Sequence, residues 1–368
     1  AQFHFIRVLQ LTYRGEIGSF LTCRAIGARV FSARLKEDIM QDASSTEAST
    51  TMDTDSNFAT SAGKQLGLYA LYALFGLSVL IYVLSVAAGS SGGSVSGGAI
   101  NIERNSITIV LTEEPPQLDS TRSTDAVSFI VLAHAMEGLI AYDDNDQLTP
   151  GVAERWEIRD DGATFWIRED AKWSDGQPVT AYDFEFAWRR VLDPATASEY
   201  SFILYPIKNA ELVNRGDLPK EMIGVRALSD RVLEVEFERS TPYFDKLVAF
   251  NTYYPLREDF FESTNGRYGA DADMLLSNGP YVVTEWIHGS SMLWKKNPYY
   301  WNDQKGFLDE IVTAYITHDV NAKLNLFKDG QIVETSLVAP MLPTAMEQRW
   351  QIDRFMDGSV FFLEFNHR

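Results

Sequence analysis

The side chains that carry covalent or metal chemistry are sparse in this 368-residue sequence and never grouped. There is one cysteine, Cys23, and there are five histidines, His4, His134, His288, His318 and His367, none spaced i, i+2 or i, i+4. A lone cysteine excludes an intrachain disulfide framework and a cysteine-rich zinc site. No H-E-x-x-H string and no Cys/His pairing suggests a hydrolase. The reading is therefore a protein without catalytic residues, metal or cofactor. What the composition does offer is aromatic surface, with 8 tryptophans and 16 tyrosines. Large amphipathic rings suit a cavity that accepts varied side chains while ordering few rotors of its own.

Charge narrows the partners. The formal net charge is -19, from 32 Lys+Arg against 51 Asp+Glu. Residues 1–64 are balanced, seven bases against seven acids, so the whole excess lies beyond them. Such a chain repels phosphates, and nucleic acid is excluded as a partner.

The elements that would position a site follow from periodicity. Ser106–Thr112 is a β-branched run that predicts a strand, stopped by Pro115-Pro116. Asp125–Leu139 carries apolar residues at 126, 127, 129, 130, 132, 133 and 136, a helical pattern. Ala163–Arg168 predicts a strand, and Ser174-Asp175-Gly176 a turn. Thr180 with Asp183 reads as a capping box opening a helix over Ala181–Leu192, which Asp193-Pro194 ends. Arg231–Glu238 alternates as a half-buried strand; Pro280–Trp286 and Ser291–Lys295 form a strand pair; Ala322–Lys328 is a short helix. Trp156, Trp166, Trp173 and Trp188 read as core pillars. Strands and helices interleave without a strict βαβ period, which predicts an α+β (mixed α/β) fold rather than a barrel.

The N-terminal region differs in kind. Residues 66–88 hold 23 residues without a charge, long enough at about 1.5 Å per residue to cross a bilayer core of roughly 30 Å. They read as a membrane anchor, and the small-residue run Val86-Ala87-Ala88 keeps a cleaved signal open. Before them, 1–64 read as a tail, disordered or artefactual; after them, 89–104 read as a Gly/Ser linker.

Several blocks then occur in one order. Leu148–Pro194 (LTPGVAERWEIRDDGATFWIREDAKWSDGQPVTAYDFEFAWRRVLDP) is followed by Thr196–Tyr200 (TASEY) and Ser277–Tyr281 (SNGPY) with Trp286. Lys296–Trp301 (KNPYYW) and Leu326–Gly330 (LFKDG) complete the series. In these blocks the chain resembles the family 5 extracellular solute-binding proteins, most of all their oligopeptide-binding members. The resemblance implies a type II periplasmic-binding-protein-like fold outside the cytoplasm. Its first lobe would be 105–136 and 256–362, with a smaller domain, 137–255, inserted. Residues 363–368 would begin a second lobe that lies beyond the sequence; without it, ligand should be held weakly or not at all. The implied role is to capture short peptides and pass them to the permease subunits of an ABC importer. A membrane-tethered sensor or adaptor on the same fold is the alternative.

The resemblance also implies where a ligand lies. The segment after Leu118-Asp119 would pair its backbone with the peptide at Thr124 and Ala126. Asp125 would supply the acid that relatives carry one residue earlier. Tyr200 matches a ligand-facing tyrosine, Phe362 replaces a tyrosine of a cavity strand, and Glu364 keeps that strand's carboxylate. The motif blocks themselves, Ser174-Asp175-Gly176 and Asn278-Gly279-Pro280 among them, read as turns and loops that do not touch ligand.

An anchor at 66–88 predicts that the expressed protein stays at full length in membranes washed with alkaline carbonate. A soluble species beginning at Gly89 would instead show a cleaved signal.

Overall fold

The computed structural model describes residues 98–143, 145–302 and 306–353. The 66–88 segment, the tail, Phe362 and Glu364 lie outside the described residues. Among those described, no helix is long and apolar enough to cross a membrane.

Eleven strands are described, in three sheets. In chain order they are β1 (Ile100–Asn101), β2 (Ser106–Leu111), β3 (Ile140–Tyr142), β4 (Leu148–Pro150), β5 (Ala153–Ile158) and β6 (Gly162–Ile167). Then come β7 (Val225–Ser229), β8 (Val232–Glu236), β9 (Tyr281–Ile287), β10 (Ser291–Lys296) and β11 (Glu310–Ile316). The five-stranded sheet runs β1-β2-β11-β10-β9. Its β2–β11 pair is parallel, with Ser106 opposite Glu310, and its other pairs are antiparallel. Parallel neighbours need a crossover; here the crossover contains both smaller sheets. β1 falls in the stretch expected as linker. Ala99 N donates to Gly330 O (2.6 Å) and Thr108 N to Ala99 O (2.8 Å), so backbone pairing extends the sheet before residue 105.

Helix α1 (Ala126–Ala135) is apolar on nearly every side, AVSFIVLAHA, and packs on β9. With so little amphipathic contrast, its start is set by Asp125, whose carboxylate accepts Ser128 N at 2.7 Å. It is shorter than the periodic stretch because Met136 turns extended (φ -129, ψ 157).

The four-stranded antiparallel sheet, β5-β6-β8-β7, is covered by α2 (Ala181–Leu192). The buried rings of Trp173, Trp188, Phe165, Phe184, Phe244 and Tyr253 fill its core. Trp188 meets Tyr253 edge-on at 5.0 Å and donates its Nε1–H to Tyr253 O at 2.9 Å, which satisfies the one polar atom buried with it. Trp156 is half-buried against this core, but Trp166 is no pillar. The guanidinium of Arg155 lies 3.5 Å over its half-exposed ring, a surface cation–π pair that its place on an alternating strand permits.

The two larger sheets meet where the chain leaves α1. Asn278 accepts Glu137 N (3.0 Å) and donates to Glu137 O (2.9 Å), satisfying both main-chain polar groups of that residue. The buried Glu137 carboxylate accepts Tyr300 Oη and Trp301 Nε1, both at 2.6 Å. Gly279 N donates to Ala135 O at 2.9 Å, and a Cβ on Gly279 would lie 2.7 Å from Met136 N, so only glycine fits. Asn297 Nδ2 donates to Gly279 O (2.9 Å), and Ser174 N to Ser277 O (2.7 Å). The motif blocks around residues 174, 278 and 300 thus converge on one buried junction.

At the start of α2, Asp183 accepts Thr180 N (2.7 Å), Thr180 Oγ1 (3.2 Å) and Trp173 Nε1 (3.2 Å). Burial nevertheless pushes its pKa from 3.8 up to about 6. A raised carboxyl favours the folded state while protonated. Its contribution is therefore complete below about pH 4 and lost as pH rises through about 6. Relative to Asp183→Asn, the native chain should lose on the order of 2–3 kcal/mol of stability across that window and stay level above it. Urea unfolding of both proteins from pH 4 to pH 8 measures this; a constant difference would mean that Asp183 does not titrate there.

Candidate functional site

The segment that carries Thr124, Asp125 and Ala126 is built from the end of β2. Leu118 N donates to Gly269 O at 2.8 Å, and Gly269 has a φ of +72. A Cβ there would come within 2.4 Å of Leu118 C, so the two backbones touch only because residue 269 is glycine. Asp119 then coils the chain around itself. Its Oδ1 accepts Thr121 N (3.0 Å) and Thr121 Oγ1 (2.6 Å), and its carbonyl accepts Arg122 N (3.0 Å) and Ser123 N (2.8 Å). The turn delivers Thr124, Asp125 and Ala126 half-buried at the head of α1. Among the described residues the backbone N–H groups of Thr124 and Asp125 have no hydrogen-bond partner. Main-chain donors left without a partner in this way are free to bond an extended chain, each on its own side of the segment.

Tyr200 reaches the same place from α2. Asp193, extended before Pro194, ends the helix and caps a 3₁₀ turn over Pro194–Thr196; Ala197 (φ 51) redirects the chain towards Tyr200. The Tyr200 ring stacks on Phe129 at 6.0 Å and meets Phe250 and Phe202 edge-on at 5.7 and 6.0 Å. Asn251 Nδ2 donates to Phe129 O at 3.1 Å, tying Phe250's neighbour to the same helix. Phe129 lies on the turn of α1 that begins at Ala126, so the Tyr200 ring packs against the first turns of α1, just after Thr124 and Ala126 in the chain. Phe202, 56% exposed, is the outermost ring of the cluster.

Asp125, which the resemblance offers as a ligand-binding acid, also has a local role. Its carboxylate faces the helix backbone as the cap of α1. Phe129, Phe202 and Phe250 were not among the expected site residues. Phe129 sits in a helix apolar all round, where periodicity gives no means of telling an outward ring from an inward one.

Titratable groups cluster elsewhere in the described residues. His288 lies between Asp271 Oδ1 (3.1 Å) and Glu114 Oε1 (3.0 Å), and the bond to Asp271 above all raises its pKa. Trp286 Nε1 donates to the same Glu114 oxygen at 2.6 Å. Among the described residues no group of three or more His, Cys, Asp or Glu is placed to hold a metal ion.

Unpaired backbone donors and a cluster of rings thus lie at the head of α1. Residues 147–368 match the model for bacterial extracellular solute-binding proteins, family 5 (middle), and the chain belongs to that family. It is 36% identical over 272 residues to the oligopeptide-binding protein OppA of Bacillus subtilis, covering 72% of this chain and 50% of that one. A solved substrate-binding domain of an oligopeptide ABC transporter from Bacillus anthracis matches with a TM-score of 0.65 and 39% identity, over 68% of this chain and 48% of that one. Listeria monocytogenes OppA bound to peptide matches with a TM-score of 0.64 and 32% identity, over 67% and 49%. The chain therefore spans about half the length of the relatives it matches.

Capping predicts the outcome at Asp125. Asp125→Ala should lower stability by about 1 kcal/mol, the usual cost of a lost N-cap, and Asp125→Asn should restore most of it. Denaturant midpoints decide this. Equal stability of all three proteins would free the carboxylate for a ligand.

Proposed function

We propose that the protein is the peptide-capturing component of an ABC-type importer, acting outside the cytoplasm and delivering short peptides to permease subunits. The observation that carries this reading is the pair of open backbone N–H groups at Thr124 and Asp125 beside the Tyr200 shelf. Main-chain pairing supplies affinity that is indifferent to sequence, and the rings accept apolar side chains with little ordering cost. The names of the relatives, oligopeptide-binding proteins and an oligopeptide transporter's substrate-binding domain, support the same substrate class.

In this reading the segments 105–136 and 256–362 form a first lobe and 137–255 an inserted smaller domain. A second lobe, of the kind that the resemblance implies, would close over the open donors. The run at 66–88 would hold the protein at the membrane. Phe362 and Glu364 would line the cavity: on alternation, Glu364 shares a strand face with Phe362 and Val360. A carboxylate there is tolerated when water or a ligand cation reaches it.

The complete natural protein should bind tri- to pentapeptides with little side-chain preference, measured by calorimetry. Glu364→Gln should weaken peptides containing Lys or Arg by about 1–2 kcal/mol and leave apolar peptides unchanged. A protein that ignores every peptide but takes a sugar or a metal chelate would overturn the assignment.

A further inference from the structure

The two segments that meet at the candidate site come from distant parts of the chain, yet one side chain of α2 touches the base of both. Arg190 Nη2 donates to Asp119 Oδ2 at 2.6 Å, and Arg190 Nη1 donates to Thr196 Oγ1 at 3.0 Å. Asp119 organises the turn that ends at Thr124; Thr196 closes the 3₁₀ turn that leads to Tyr200. All three are largely removed from water: the Asp119 side chain is 3% exposed, that of Arg190 15%, and Thr196 7%. The guanidinium plane is further fixed by the Phe261 ring, 4.3 Å from its central carbon. A rigid fork with two separate donors can set a distance between two partners; a lysine ammonium on a flexible stem lacks that planar geometry.

We infer that Arg190 is a positioning residue that fixes the spacing between the Thr124–Ala126 backbone and the Tyr200 ring, and so the width of the slot that receives a peptide. The inference rests on the peptide-binding reading of that site. Arg190 touches no ligand itself. Its effect is geometric: a backbone row and a ring shelf bind one extended chain only when held at a fixed separation, and misplacement by a fraction of an ångström weakens both contacts together.

The test uses the complete protein, with Arg190→Lys and Thr196→Val compared with wild type by amide hydrogen exchange and by calorimetry with a peptide that wild type binds. Arg190→Lys keeps the charge opposite Asp119 and gives up the fork. It should speed exchange in both 119–126 and 196–201, leave the β9–β10 hairpin unchanged, and weaken peptide binding about tenfold or more, as losing a residue that orients a binding group does. Thr196→Val should loosen 196–201 alone and weaken binding less. Unchanged affinity in Arg190→Lys overturns the inference. So does faster exchange spread evenly through the sheet, which marks a merely structural role. Should Arg190→Lys fail to fold, Thr196→Val still decides, since the inference requires its loosening to stop at 196–201 and its affinity to fall. A wild type that binds no peptide in the panel defeats the functional reading alone; the exchange pattern then still decides whether Arg190 couples the two segments.

Discussion

Glu137 is a carboxylate held out of water at the point where the chain crosses between two sheets, and much else follows from how it is held. Isolated in such a place, its charge would be strongly unfavourable. Tyr300 Oη and Trp301 Nε1 each donate to it at 2.6 Å, while Asn278 pairs with both main-chain polar groups of Glu137. Arg168, 3.1 Å over the Trp301 ring, places a cation just behind these donors and bonds Gly151 O on the other sheet's side. Removing one donor from a buried charged group typically costs about 1.5–3 kcal/mol. That price enforces one mutual arrangement of the segments around 137, 278 and 300, and with it the position of α1, whose last turn is gripped through Ala135 and Met136. The head of the same helix carries Thr124–Ala126. The junction therefore reaches the candidate site through one rigid element.

Much of this was legible in the residues. The capping box at Thr180 and Asp183, the halt at Asp193-Pro194 and the β9–β10 hairpin are local signals, and each appears where its chemistry puts it. The central strand β11 is a different case. EIVTAYI has inward and half-buried positions in alternation but no turn signal marking its ends, and its partner β2 lies some two hundred residues away in sequence, about as non-local as a pairing can be. Trp166 shows a second limit. A tryptophan in a strand reads as core from composition, whereas the strand's other face and a neighbouring Arg155 decide the matter in space. Asp125 shows a third: an acid at a helix head can serve a ligand or the helix, and its sequence position alone does not reveal the 2.7 Å cap contact with Ser128 N.

The aromatic residues divide along the same physical line. Trp188, Phe244 and Tyr253 pack edge to face in the dry core, where a ring contributes by filling volume and where each polar atom must find a partner. Tyr200, Phe202, Phe129 and Phe250 make similar edge and stacked contacts, but around an open side. Rings that stiffen one another at a surface keep their positions before anything arrives. A ligand then meets a surface already ordered, and less of the interaction is offset by lost side-chain freedom.

Sequence motifs and the proposed ligand contacts consequently fall on different residues. A buried carboxylate needs hydroxyl, indole and amide donors at fixed places, and a glycine must stand where two backbones touch; these requirements write themselves into residue types. Main-chain donors do not. The N–H groups of Thr124 and Asp125 would be offered by almost any non-proline residue at those positions, so the part of the proposed site that would read an extended chain leaves little trace in the alphabet. What can be read instead is the apparatus that holds such donors still: Gly269 against Leu118, Asp119 inside its own turn, and the buried junction at Glu137. A binding site made of backbone is found by following what fixes the backbone.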